Sequence, residues 1–145
     1  MSIREQLAEH MKQALKAGQK DRLRVLRLLR AELQVAETSG QQFEEVDIVK
    51  SYANALRKSA DEYEGLGRQE KAHELQRDLG IVEEFLPEQM DREELEELIS
   101  RLVEENDYGP RDIGKVMKAI MGEYRDVVDG RLAQKIAREK LADRG

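Results

Sequence analysis

Between residues 72 and 90 an apolar stripe runs into a proline, and this corner constrains the fold more than any other part of the chain. Ala72, Leu75, Leu79, Val82 and Leu86 recur at steps of three and four, the period of a helix with one buried face. Pro87 ends that stripe, because it lacks an N–H and pushes Leu86 out of the α region. Asp91-Arg92-Glu93-Glu94 then reads as an N-cap followed by a carboxylate at the third helical position, so a new helix begins there. Phe85, Leu86 and Met90 flank the corner and are expected to pack beneath it.

Helical periodicity continues on both sides. Ser2-Ile3-Arg4-Glu5 is a capping box, followed by the face Ile3, Leu7, Met11, Ala14 and Leu15 and a stop near Gly18. A second helix starts near Asp21 and carries Leu23, Leu26, Leu29, Leu33 and Ala36. The third runs from about Glu44 to Gly65-Leu66-Gly67, with Val46, Val49, Tyr52, Ala53, Leu56 and Ala60 inward. Beyond the corner, Leu95, Leu98, Ile99, Leu102 and Val103 line one short helix. Pro110 is placed at the first turn of the next, whose face is Ile113, Val116, Met117, Ile120, Met121 and Tyr124. Asp129 caps the last, with Leu132, Ile136 and Leu141 inward. No strand alternation or hairpin signal interrupts this pattern. The reading is all-α, with a long-helix N-terminal domain over residues 1–86. A Pro elbow joins it to a small three-helix bundle over residues 87–145.

Composition narrows the function. Charged and hydrophobic residues are each 39%, and cysteine is absent, which removes thiolate nucleophiles, zinc–thiolate sites and disulfides. No apolar run reaches the length of a membrane span, and Arg4, Glu5, Glu9 and Lys12 interrupt any signal-peptide core, so the expected location is cytoplasmic, with no membrane partner. His10 and His73 stand alone on helices, as surface or interface residues. Glu93-Glu94-Glu96-Glu97 points in several directions and reads as solvated rather than as a metal site. No catalytic residues, metal ligands or cofactor are assigned.

Charge is unevenly spread. Residues 12–30 carry seven basic side chains against Asp21, whereas residues 81–108 carry eleven acids against Arg92 and Arg101. The net charge of −6 argues against nucleic-acid binding driven by bulk charge, but a local basic surface can still meet phosphates. Gly114, inside an otherwise good helix, costs about 1 kcal/mol relative to alanine. Either a backbone or a ligand is expected to approach there. Arg111, Lys115 and Lys118 are spaced to share that helix's exposed face.

Gly114-Lys115-Val116-Met117-Lys118-Ala119-Ile120-Met121, followed by Asp129-Gly130-Arg131-Leu132, resembles the tail of the GatB/YqeY family. Met11-Lys12-Gln13-Ala14, the run from Arg22 to Ala31, and Glu84-Phe85-Leu86-Pro87-Glu88-Gln89-Met90 are similar to the opening and elbow of its stand-alone members. The resemblance implies a helical tRNA-binding appendage of the glutamine-dependent tRNA amidotransferase B subunit, a carbon–nitrogen ligase using glutamine as amido donor. Amide transfer itself belongs to parts absent here, so no ammonia release from glutamine is expected. Where the family usually reads Lys-Gly-Arg-Ala-Asp, this chain has Arg125-Asp126-Val127-Val128-Asp129, which is less basic. Arg111, Gly114, Lys115, Lys118 and Arg131 are the candidate RNA contacts, with tRNA the expected partner. The alternative is a protein-interaction adaptor docking through the N-terminal helices and the acidic face.

Overall fold

The computed structural model describes residues 1–144, which form seven α-helices and no strand. These are α1 (Ile3–Lys16), α2 (Lys20–Thr38), α3 (Glu45–Gly65), α4 (Gln69–Glu83), α5 (Arg92–Glu105), α6 (Ile113–Glu123) and α7 (Gly130–Ala142). Among the described residues no helix is long and apolar enough to cross a membrane. The chain divides into two compact units, Met1–Leu86 and Pro87–Gly145.

In the first unit α1 and α2 form one hairpin, α3 and α4 another, and α2 packs on both α3 and α4. Leu7, Leu26, Leu29, Leu33, Val49 and Val82 are fully enclosed, and each such side chain contributes about 1.5–3 kcal/mol by leaving water. Val25 joins them although the expected stripe omitted it, because α2 has neighbours on more than one side. Leu15, expected inward, is 65% exposed. It sits one residue beyond the Ile3, Leu7 and Ala14 stripe, and one residue turns a side chain about 100° around the helix.

The ends of α1 and α3 share one solution. After α1, Gln19 N–H bonds to Ala14 C=O and Gly18 N–H to Leu15 C=O, with Gly18 at φ +69. After α3, Arg68 bonds to Tyr63 and Gly67 to Glu64, with Gly67 at φ +75. Left-handed backbone at that position closes the last carbonyls and turns the chain back, and glycine takes it without a Cβ penalty. Helix α5 ends the same way with Asp107 at φ 52, a residue type that tolerates the conformation. The start of α1 is tied by Ser2, whose hydroxyl accepts from Glu5 N–H, and by Glu45, whose carboxylate accepts from the N–H groups of Ile3 and Arg4.

Helix α4 stops at Glu83, four residues before the proline, and Phe85 and Leu86 continue as tighter turns bonded to Val82 and Glu83. Phe85 and Leu86 belong to the core of the first unit, whereas Met90 packs with the second. The three residues flanking the corner thus serve two cores.

The second unit is a three-helix bundle in which α7 packs against both α5 and α6. Leu95, Ile99, Val116, Ile120, Ile136 and Leu141 fill its centre. Asp91 caps α5 by accepting from Glu94 N–H at 2.8 Å, as its spacing predicts. Pro110, in contrast, is not part of α6. Gly109 N–H donates to the Asp112 carboxylate at 2.8 Å, while Asp112 N–H donates to Gly109 C=O at 2.9 Å. Those reciprocal bonds close residues 109–112 into a separate turn, and α6 begins only at Ile113.

Candidate nucleic-acid interface

The turn before α6 decides where the candidate contacts lie. Arg111 is in it, not on the helix, so it does not share a helical face with Lys115 and Lys118. Lys115 and Lys118 are both exposed on α6. Lys115 Nζ lies 3.5 Å from Asp112 Oδ1, a loose pair in water, while Lys118 and Arg111 make no ion pair among the described residues. The bond from Gly109 N–H, followed by the charge of Lys115, holds the Asp112 carboxyl below its ordinary value.

Gly114 is exposed, and a Cβ built on it would meet nothing within 4 Å. No backbone packs there, so that explanation for the glycine is removed. Gly122 is equally open and, with Gly114 and Lys118, follows a four-residue spacing along the exposed side of α6. The backbone of this helix is therefore bare beside its two lysines.

Arg131 lies in the first turn of α7 and is exposed. Two of the N–H groups at that helix start are taken up by its cap. Asp129 Oδ1 accepts from Arg131 N–H at 3.0 Å and from Leu132 N–H at 3.4 Å. What Arg131 offers is its guanidinium, and here the structure adds residues that the motif-based expectation omitted. Lys135 and Arg138 follow it at i+4 and i+7, both exposed, and none of the three makes an ion pair among the described residues. Three cations thus lie along one exposed stripe. The four- and seven-residue spacing is visible in the sequence, although the family motif upstream does not reach it.

The loop before α7 has a structural task. Met90 N–H donates to Val127 C=O at 2.7 Å, and Gln89 Nε2 donates to Asp126 C=O at 2.7 Å. Val128 is fully buried in the core and Val127 packs against it. The two valines at the departed positions therefore anchor the segment after Pro87 rather than facing a ligand.

Two of the basic residues in the first unit are committed to the fold. Arg22 makes a two-pronged contact with Glu84, at 2.7 and 3.1 Å, and also donates to His10 Nδ1 at 2.9 Å. His10, expected to stand alone, is further held edge-on against Phe85 with ring centroids 5.1 Å apart. Arg24 donates to Asp78 at 3.0 Å, a carboxylate on the α4 face that no hydrophobic pattern could reveal. That hydrogen bond, the largest cause, raises the Arg24 guanidinium above its ordinary value. Tyr52, half-buried nearby, is pushed up chiefly by desolvation.

Among the described residues no three His, Asp or Glu side chains are grouped as a metal site. The fold and its surface define an all-α protein of two helical units that presents exposed, unneutralised cations on α6 and α7. The sequence model of the Yqey-like protein family matches residues 4–141, nearly the whole chain, and the chain belongs to that family. No curated protein matches it.

Proposed function

We propose that this protein is an RNA-binding helical module, associated with tRNA and without catalysis of its own. It meets phosphates through Arg111, Lys115, Lys118 and Arg131, with Gly114 allowing close approach to α6. Lys135 and Arg138 extend that surface along α7. The observation that carries the reading is the exposed stripe Arg131, Lys135 and Arg138, free of counter-ions in a chain of net charge −6. Cations left unpaired on an acidic protein are available to a polyanion, and the resemblance of residues 114–132 to the tail of the tRNA amidotransferase B subunit favours tRNA as that polyanion. Affinity is modest and falls steeply with salt, since few phosphates are neutralised and Asp112, Asp126 and Asp129 stand near in sequence.

The test is a titration of labelled tRNA at low salt against Lys115→Glu/Lys118→Glu and against Arg131→Glu/Lys135→Glu. These side chains are exposed, so helicity is retained while binding disappears. The second reading is a protein adaptor, favoured by the exposed acids Glu93, Glu94, Glu97, Glu104 and Glu105 on α5. If neither variant differs from the parent, this RNA surface is wrong; if the parent also fails to bind tRNA, the adaptor reading replaces it.

A further inference from the structure

We infer that the first unit carries a second phosphate-binding surface for RNA, built from Lys12, Lys16, Lys20, Arg27 and Arg30. The inference rests on the RNA reading above but concerns a different unit and different helices. Residues 12–30 hold seven cations, and the structure sorts them into two groups. Arg22 and Arg24 are tied to Glu84 and Asp78 and serve the fold. The other five are exposed, and their side chains make no ion pair or hydrogen bond among the described residues.

Their placement is orderly. Lys12 and Lys16 are one turn apart on α1, away from the buried stripe of Ile3, Leu7 and Ala14. Lys20 and Arg27 are two turns apart on α2, with Arg30 in the following turn. The tight turn at Gly18 brings the end of α1 beside the start of α2, so Lys16 and Lys20 flank one corner. A four-residue step advances about 6 Å along a helix, which suits a cationic row following a phosphate backbone. Asp21 and Glu9 dilute this surface without neutralising it.

The chemistry favours RNA backbone over other acidic partners. This stretch has no aromatic residue, so it offers no platform for stacking unpaired bases and fits the phosphates of folded RNA. A protein partner would need a buried anchor in a pocket, and two grooves of this unit are lined by other residues. One is at the start of α4, from Gly67 to Arg77, and one lies between α2 and α3, around Val35, Phe43 and Tyr52. Leu15 and Leu28 are the exposed large apolar residues here, an ordinary surface scatter.

The experiment compares the parent with Lys12→Ala/Lys16→Ala/Arg27→Ala/Arg30→Ala, using fluorescently labelled bulk tRNA across a salt series. Lys115→Glu/Lys118→Glu and Arg131→Glu/Lys135→Glu are measured in parallel, with helicity checked by circular dichroism. The expected result is weaker binding, with the slope of log affinity against log salt reduced by about 0.7–0.9 for each phosphate no longer neutralised. Poly-L-glutamate is expected to compete poorly beside unlabelled tRNA. If the quadruple variant binds as the parent does while the second-unit variants lose binding, the inference fails and the earlier reading stands. If the quadruple variant loses binding and the second-unit variants do not, the inference holds and the proposed α6–α7 contacts fail. A parent that does not bind tRNA sinks both. Displacement by poly-L-glutamate as effective as by tRNA points to an acidic protein partner and overturns the inference. Should the quadruple variant lose helicity, the four single variants are measured, and four parent-like slopes overturn it.

Discussion

Replacing Arg24 should destabilise the first unit more than replacing the residue it pairs with. Asp78 is 9% exposed, and its carboxylate receives the Arg24 guanidinium at 3.0 Å. The arginine side chain is 44% exposed, so the two ends of the bond stand in different surroundings. Two unit charges about 4 Å apart interact by about 4 kcal/mol under near-surface screening, and solvent at the arginine reduces that figure. Arg24→Met strands a nearly buried carboxylate, at a cost of about 1.5–3 kcal/mol, below the about 3–5 kcal/mol of a fully buried pair. Asp78→Ala only returns an exposed guanidinium to water, at about 1 kcal/mol or less. The double variant should be more stable than Arg24→Met alone, because no charge is left stranded. Urea unfolding followed through the Val82 methyl signals, with hydrogen exchange across Gln69–Glu83, reads the first unit within the full chain. A double variant as unstable as Arg24→Met, or less stable, refutes the reasoning.

Two further outcomes are expected. Gly114→Ala should stabilise the second unit by about 0.5–1 kcal/mol, since its Cβ meets nothing within 4 Å; a fall in the urea midpoint followed through Val116 or Ile120 signals would contradict the open helix face. The Asp112 carboxyl should titrate below its ordinary 3.8. Because the folded value is depressed, its stabilising bond is complete above that ordinary value and is lost as pH falls through the lower folded one. The Gly109 amide reports this in an acid titration, and Asp112→Asn should abolish the response; a Gly109 titration at or above 3.8 would show that the bond is not made.

The helices were legible because their signals are local. Apolar residues at steps of three and four, Ser2, Asp91 and Asp129 at helix starts, and glycines at helix ends each act within one or two turns. The candidate site was legible only in part. Exposure of Lys115 and Lys118 followed from their position opposite an apolar face, but the shared face with Arg111 assumed a helix that the Gly109–Asp112 turn excludes. Lys135 and Arg138 could have been found by extending the spacing from Arg131.

By itself, then, the sequence determined an all-helical chain, its caps and stops, its two strongly charged regions and its family. Only the tertiary structure decided which charges remain available. Arg22 and Arg24 look like their neighbours in the sequence, yet they reach partners 62 and 54 residues away at Glu84 and Asp78. Val127 looks like a loss from a basic loop, yet it packs with Val128 into the second core, and its C=O holds the segment after Pro87. Periodicity is written along the chain, whereas the pairing of a charge depends on which distant residue the packing of helices brings within about 3 Å of it.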